Sequence, residues 1–171
     1  MTKKFNSVLI IGMGLIGSSI SRALTEYHVV DNVYGLDTDD KVIKRCQELN
    51  LLIKGETKLS NFDLQFDLII ICTPVSTYEN IFLELNKFIS EPTLVTDVGS
   101  TKMSTINDFN RISPSTNISF IPSHPIAGLE KSGPDFGFST LFKNRYCILT
   151  PFKKDNKAIE SISEMWKSIG M

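Results

Sequence analysis

The sequence predicts an α/β fold, a single domain built on a doubly wound, mostly parallel sheet. Three observations predict it. Short apolar runs, continuous rather than alternating, recur along the whole chain, as expected of strands covered on both faces. Between them lie segments whose apolar residues repeat with the helical period, and such strand–helix alternation builds a parallel sheet. The first run also ends in Gly12-Met13-Gly14-Leu15-Ile16-Gly17, followed at once by a helical pattern.

Taken in order, residues 8–11, 33–36, 68–72, 94–96, 118–121 and 146–149 read as strands, with 51–53 a weaker candidate. The first helix carries Ile16, Ile20, Ala23, Leu24 and Tyr27 on one face. A second follows a cap at Thr38 or Asp39 and presents Val42, Ile43, Cys46 and Leu49. The third, after the turn at Pro74, presents Ile81, Leu85, Phe88 and Ile89. The fourth presents Met103, Ile106, Phe109 and Ile112 behind Ser100, a plausible cap, and the last presents Ile159, Ile162, Trp166 and Ile169. Residues 54–61 are polar and irregular and read as a surface loop. Residues 123–144 form the longest stretch without periodicity, and long irregular loops in compact domains are often functional.

A length of 171 residues suits one domain that buries its own core without staples. With 18 basic and 19 acidic groups, the net charge of −1 gives no general attraction to nucleic acid or to an anionic membrane. Cys46, Cys72 and Cys147 are far apart and odd in number, so they form neither a disulfide framework nor a C-x-x-C metal pair. They read as packing residues in a reducing compartment. The N-terminal residues fit no signal peptide, and no apolar run approaches the ~20 residues of a membrane span. The acceptor sequence Asn117-Ile118-Ser119 is then read as chance, and the expected location is the cytoplasm.

The glycine motif is G-x-G-x-x-G, placed between strand and helix as a Rossmann-type dinucleotide site requires. Gly12 permits the tight turn, Gly14 lets backbone approach a pyrophosphate, and Gly17 lets helix and strand pack closely. Leu15 and Ile16 open the helix, whose free N–H groups and positive dipole end face the phosphates. Asp37, twenty residues beyond Gly17, is placed to accept from the adenosine ribose hydroxyls. A carboxylate there repels a 2′-phosphate, and Thr38-Asp39-Asp40 supplies no arginine, so NAD is favoured over NADP. Thr73 and Pro74 follow the 68–72 strand and are candidate cofactor contacts, although a proline-initiated helix start reads the same way.

Of the two histidines, His28 closes the first helix and reads as a surface residue. His124 follows a strand within Pro122-Ser123-His124-Pro125-Ile126-Ala127-Gly128, where flanking prolines push it towards extended backbone. A histidine at a sheet end beside a nicotinamide suits removal of a hydroxyl proton, because imidazole titrates near neutrality. A structural histidine fits the same residues. The segment Asp97-Val98-Gly99-Ser100-Thr101-Lys102 has glycine, hydroxyl and lysine in the wrong order for a P-loop. Its Ser100 is read as a substrate contact or a helix cap.

Together, residues 12–17, 97–102 and above all Ser123-His124-Pro125-Ile126-Ala127-Gly128-Leu129-Glu130-Lys131-Ser132-Gly133 resemble the prephenate dehydrogenase family. Residues 141–151 resemble its bacterial cyclohexadienyl dehydrogenases. The resemblance implies NAD-dependent oxidative decarboxylation of prephenate or arogenate in tyrosine biosynthesis. It implies His124 as acceptor or base on the substrate hydroxyl, Ser100 holding that hydroxyl, and Glu130 at the mouth of the site. It further implies a homodimer formed through a C-terminal helical domain that also supplies a substrate-binding arginine. Residues 1–171 correspond to the nucleotide-binding domain alone, and Arg22, Arg45, Arg111 and Arg145 do not match that arginine. The chain alone is therefore expected to be weakly active or inactive. Leu129 departs from the small polar residue usual at its position. A dehydrogenase of another small acid is a rival reading, but that group uses a later-helix lysine not found here; a non-catalytic NAD-binding module is another.

Overall fold

The computed structural model describes residues 5–171. Its central sheet comprises β1 (Phe5–Ile11), β2 (Val30–Leu36), β3 (Lys54–Glu56), β4 (Leu68–Ile71), β5 (Thr93–Asp97) and β6 (Ile118–Ile121). All neighbours pair in parallel, in the order β3-β2-β1-β4-β5-β6. The order reverses between β1 and β4, which is where open α/β sheets leave a ligand crevice. The helices are α1 (Leu15–Glu26), α2 (Asp40–Glu48), α3 (Tyr78–Phe88), α4 (Lys102–Arg111) and α5 (Asn156–Ser168). Among the described residues, no helix is long and apolar enough to cross a membrane.

Continuous apolar strands fit this architecture because successive side chains point to opposite faces and both faces are covered. Val8 and Ile10 of β1 pack with Ile20 and Leu24 of α1 and Ile162 and Trp166 of α5. Leu9 and Ile11 point the other way, into a core made with Tyr78, Phe82, Phe109 and Phe120 from α3, α4 and β6. Phe82 stands at the centre of that second core, edge-on to Phe109 and Phe120 at centroid distances of 5.2 and 5.0 Å. Such tilted pairs add to what burial alone contributes.

Several expectations need correction. The strand beyond β2 is Lys54–Glu56 rather than residues 51–53, so part of the segment expected to be loop is paired. An edge strand needs only its backbone for pairing, and its charged side chains remain at the rim. Leu51 instead turns inward, its N–H donating to Cys46 O at 3.0 Å, while Leu52 packs over Gly35. The second helix is capped by Asp39, whose carboxylate accepts from Lys41 N at 2.9 Å. Ser100 does not cap α4: that position belongs to Thr101, which makes no side-chain capping bond. Of the cysteines, Cys46 is buried and Cys72 and Cys147 are half-buried; all three are free. Burial pushes the Cys46 and Cys147 thiols up to about 11. His28 is exposed with a φ of 53°, in keeping with its place at a helix end.

The irregular stretch is partly ordered by pairing. Residues Ser123–Pro125 form β7 and Cys147–Leu149 form β8, an antiparallel ribbon separate from the main sheet. The 146–149 strand therefore joins a ribbon rather than the parallel sheet. The later part of the stretch is fastened across α1 and α2. Phe138 N donates to Ser19 Oγ at 3.1 Å, and Arg45 binds Asp135 through Nε and Nη2 at 2.8 and 2.6 Å. This cover explains why Ser18 and Ser19 of α1 are buried although polar, whereas Ser21 is satisfied by Leu51 O, to which its hydroxyl donates at 2.6 Å.

Replacing Phe82 with alanine empties the centre of the second core. The expected loss is ~3–5 kcal/mol of unfolding free energy, read from the midpoint of a urea titration against the parent chain.

Candidate active site

Parallel strands end on one edge, and the sequence-predicted residues line that edge in strand order. Asp37 follows β2, Gly12 follows β1, Thr73 and Pro74 follow β4, Ser100 follows β5, and His124 follows β6. Four spacings of about 4.8 Å separate β2 from β6, a span of roughly 19 Å. That is the scale of an extended dinucleotide laid across the sheet.

The glycine turn is built by close contact. Gly12 has a φ of +93°, and a side chain there would meet Cys72 and Thr73 backbone at 2.9 Å. A side chain at Gly17 would run into the Gly12 carbonyl and Ile10, which is why helix and strand approach only through glycine here. Gly14 differs: nothing lies within 4 Å of where its side chain would project. It occupies the cap position of α1 without any side-chain capping bond, and no acidic residue stands in the first turn formed by Leu15 and Ile16. The helix end is left to an anion from outside.

Asp37 serves the protein as well as a ligand. Its Oδ2 accepts from Met13 N at 2.8 Å and its Oδ1 from Asp39 N at 3.1 Å. The acid thus ties the glycine turn to the start of α2. A cavity of about 970 Å³ opens beside it, lined by Gly12, Gly14, Asp37, Thr73 and Pro74 together with residues of α3 and of the turn after β3. Thr57, Lys58 and Ser60 of that turn and Asn80 of α3 were not singled out in the sequence, because polar residues there carry no motif. Thr73 is half-buried, its hydroxyl 2.8 Å from that of Thr77, and Pro74 is exposed at the head of a short 3₁₀ turn. The open Gly14 backbone, the uncapped helix end and the acid at the neighbouring strand end fit a dinucleotide.

Ser100, His124 and Glu130 lie outside the lining of that cavity, the first two after β5 and β6. Ser100 is exposed in the turn after β5. His124 is half-buried in β7, opposite Ile148 of β8. Their segments are held together through buried Asp97: its Oδ1 accepts from Ser123 N at 3.0 Å and its Oδ2 from Gly99 N at 3.0 Å. Lys102 Nζ completes the joint, donating to Asp97 Oδ2 and to Ser123 O, both at 2.6 Å. Burial pushes the Asp97 carboxyl up from its ordinary value and the Lys102 ammonium down, each partly offset by the other. Glu130 is exposed in the loop between β7 and the segment fastened to α1, beside exposed Leu129. Among the described residues, no cluster of His, Cys, Asp or Glu is placed to hold a metal ion.

Comparison with known proteins identifies the family and the fold. Residues 20–171 match the family model described as prephenate dehydrogenase, nucleotide-binding domain. The chain is 34% identical to the cyclohexadienyl dehydrogenase of Zymomonas mobilis over 97% of its own length and 56% of that protein's. It is 31% identical to the prephenate dehydrogenase of Bacillus subtilis over 98% of its length and 45% of the relative's. The crystal structure of prephenate dehydrogenase from A. aeolicus in complex with hydroxyphenyl propionate and NAD+ superposes with a TM-score of 0.88. That match has 29% identity and covers 99% of this chain and 59% of the other. The chain spans about half the length of the curated relatives it matches. With its fold, its glycine turn and its histidine ribbon in hand, the chain belongs to the prephenate dehydrogenase family, as the nucleotide-binding domain.

Proposed function

We propose that this chain is the NAD-binding, histidine-bearing part of an enzyme that oxidatively decarboxylates prephenate or arogenate in tyrosine biosynthesis. The observation that carries the reading is the order of groups along the sheet edge, from Asp37 through the glycine turn to Ser100 and His124. Gly12, Gly14, Gly17 and the first turn of α1 hold the pyrophosphate, and Asp37 receives the adenosine ribose hydroxyls through lone pairs not used by backbone. Thr73 and Pro74 form the wall beside them. Bound NAD supplies the hydride acceptor.

His124 accepts the proton of the substrate's ring hydroxyl while Ser100 holds that hydroxyl in place. Drawing the proton away raises electron density at the carbon and eases loss of its hydride, and the ring carboxylate leaves as carbon dioxide. A well-placed base contributes ~10²–10⁴ to such a step. Glu130 stands at the mouth of the site in a binding or gating role.

The substrate is a dicarboxylate, and the reading assigns its cationic anchor to the helical domain of the family, through which the subunits also dimerise. Support comes from the histidine ribbon, where Tyr146 is 83% exposed and Ile126 and Ile148 are also exposed. The free cysteines accord with a cytoplasmic setting.

Calorimetric titration is expected to show NAD binding by the isolated chain and much weaker binding of NADP. Asp37→Ser is expected to weaken NAD by ~10–100-fold and to narrow that preference, the scale of a lost hydrogen bond to a charged group. The isolated chain is expected to show no measurable prephenate turnover; robust turnover would overturn the assignment of the anchor to another domain. In a longer chain that includes the helical domain, His124→Asn should lower kcat by ~10²–10⁴ and leave NAD affinity in place. Retained turnover would remove His124 from the chemistry.

A further inference from the structure

The reading above uses His124 and leaves unexplained why the residue before it is so heavily bonded. Every polar group of Ser123 is engaged. Its N–H donates to Asp97 Oδ1 at 3.0 Å, and its carbonyl accepts from Lys102 Nζ at 2.6 Å. Its hydroxyl donates to Asp97 O at 2.6 Å, lies 2.8 Å from Thr96 Oγ1, and accepts from the indole Nε1–H of Trp166 at 3.2 Å. Ser123, Thr96 and Asp97 are all fully buried. Five bonds on one serine exceed what strand pairing requires, and β7 has only three residues.

The partners come from different parts of the fold. Asp97 ends β5, Lys102 begins α4, and Trp166 lies in the last helix, fully buried and edge-on to Phe142 at 5.8 Å. Removing a carboxylate and an ammonium from water costs several kcal/mol per ion, so replacing such a pair with apolar residues is often neutral or stabilising. What the pair supplies here is direction. A carboxylate with two oxygens fixed by different donors has no freedom to rotate, and it sets Ser123 N–H on one side and the Gly99 turn on the other.

We propose that Asp97, Ser123 and Trp166 are positioning residues that set the place and environment of the His124 ring from the base of its ribbon. Asp97 acts through the Ser123 peptide, and Trp166 acts through the Ser123 hydroxyl, which carries the position of α5 to the ribbon. The proposal rests on the reading of His124 as the base, but it concerns the ring's surroundings and does not require turnover. The other titratable groups close to this joint are Cys147 of β8, beside Ser123 and the His124 backbone, the Cys72 thiol after β4, and the Tyr78 hydroxyl packed towards Asp97 and Gly99.

The chain has only two histidines, so ring C–H resonances report each of them by NMR, and exposed His28 serves as an internal reference. The variants are Asp97→Asn, Ser123→Ala and Trp166→Phe, compared in the 171-residue chain. Asn keeps the shape of Asp97 and loses the charge that holds Lys102; Phe keeps the bulk of Trp166 and loses only the indole donor. The expected result is a displaced His124 resonance in each folded variant, with His28 unmoved. A merely structural role predicts lower stability with the His124 signal unchanged, and that outcome in the folded variants overturns the proposal. So does equal movement of both histidines. Should Asp97→Asn not fold, Ser123→Ala and Trp166→Phe decide the matter by the same criterion. Failure of the wider reading shows itself separately, as loss of NAD binding or of substrate turnover in the parent protein.

Discussion

Six strands running the same way leave all their carboxyl ends on a single edge, and everything functional in this molecule follows from that constraint. Strand interiors are buried on both faces and can carry little but Val, Ile, Leu and Phe. Polar chemistry is therefore concentrated at the carboxyl ends of the strands and in the segments that follow them. Because the order reverses between β1 and β4, two neighbouring turns diverge there and leave room for a ligand. The cavity lined by Gly12, Asp37, Thr73 and Pro74 occupies that gap.

The two ends of the edge solve different problems by different means. On the β1–β2 side the ligand must meet backbone, so side chains are absent: Gly12 and Gly17 admit close contact and Gly14 stays open. The one side chain that matters there, Asp37, also holds Met13 N–H. On the β5–β6 side the structure relies instead on a buried network of side chains beneath the segment that carries His124. Asp97, Lys102 and Ser123 form it, at a cost in desolvation that an apolar cluster would avoid. A half-satisfied version of this network would be worse than none, since an unpaired buried charge is penalised heavily. All of its principal donors and acceptors are matched.

The loop between these ends is tied at both its margins. Its start is the β7–β8 ribbon, and its later part is fixed by Arg45 to Asp135 and by Ser19 to Phe138 N. Gly128 and Gly133 bound the segment left between, which carries Leu129 and Glu130, and Gly133 has a φ of +91°. The loop thus hangs from α1, the helix that begins at the glycine turn, and from the ribbon that bears His124.

Most of the architecture could be read from local pattern. Continuous apolar runs and helical periodicity marked five of the six sheet strands and all five helices, because burial on two faces and amphipathic packing leave direct traces in residue order. The glycine turn and Asp37 were legible for the same reason: a tight turn, a close approach and an acid after the next strand are each demands on one residue at one spacing. The third strand, Lys54–Glu56, was not, since an edge strand is held by backbone bonds that place no demand on side-chain type. Nor was the role of Asp97. Read along the chain, an aspartate before Val98-Gly99 has nothing to distinguish it. Its meaning depends on Ser123, 26 residues away, and on Trp166, 43 residues beyond that serine. By itself the sequence determined the fold class, the dinucleotide turn and the segment that carries His124. Only the tertiary structure decided how that histidine is held, because long-range pairing of buried polar groups is a property of position in space.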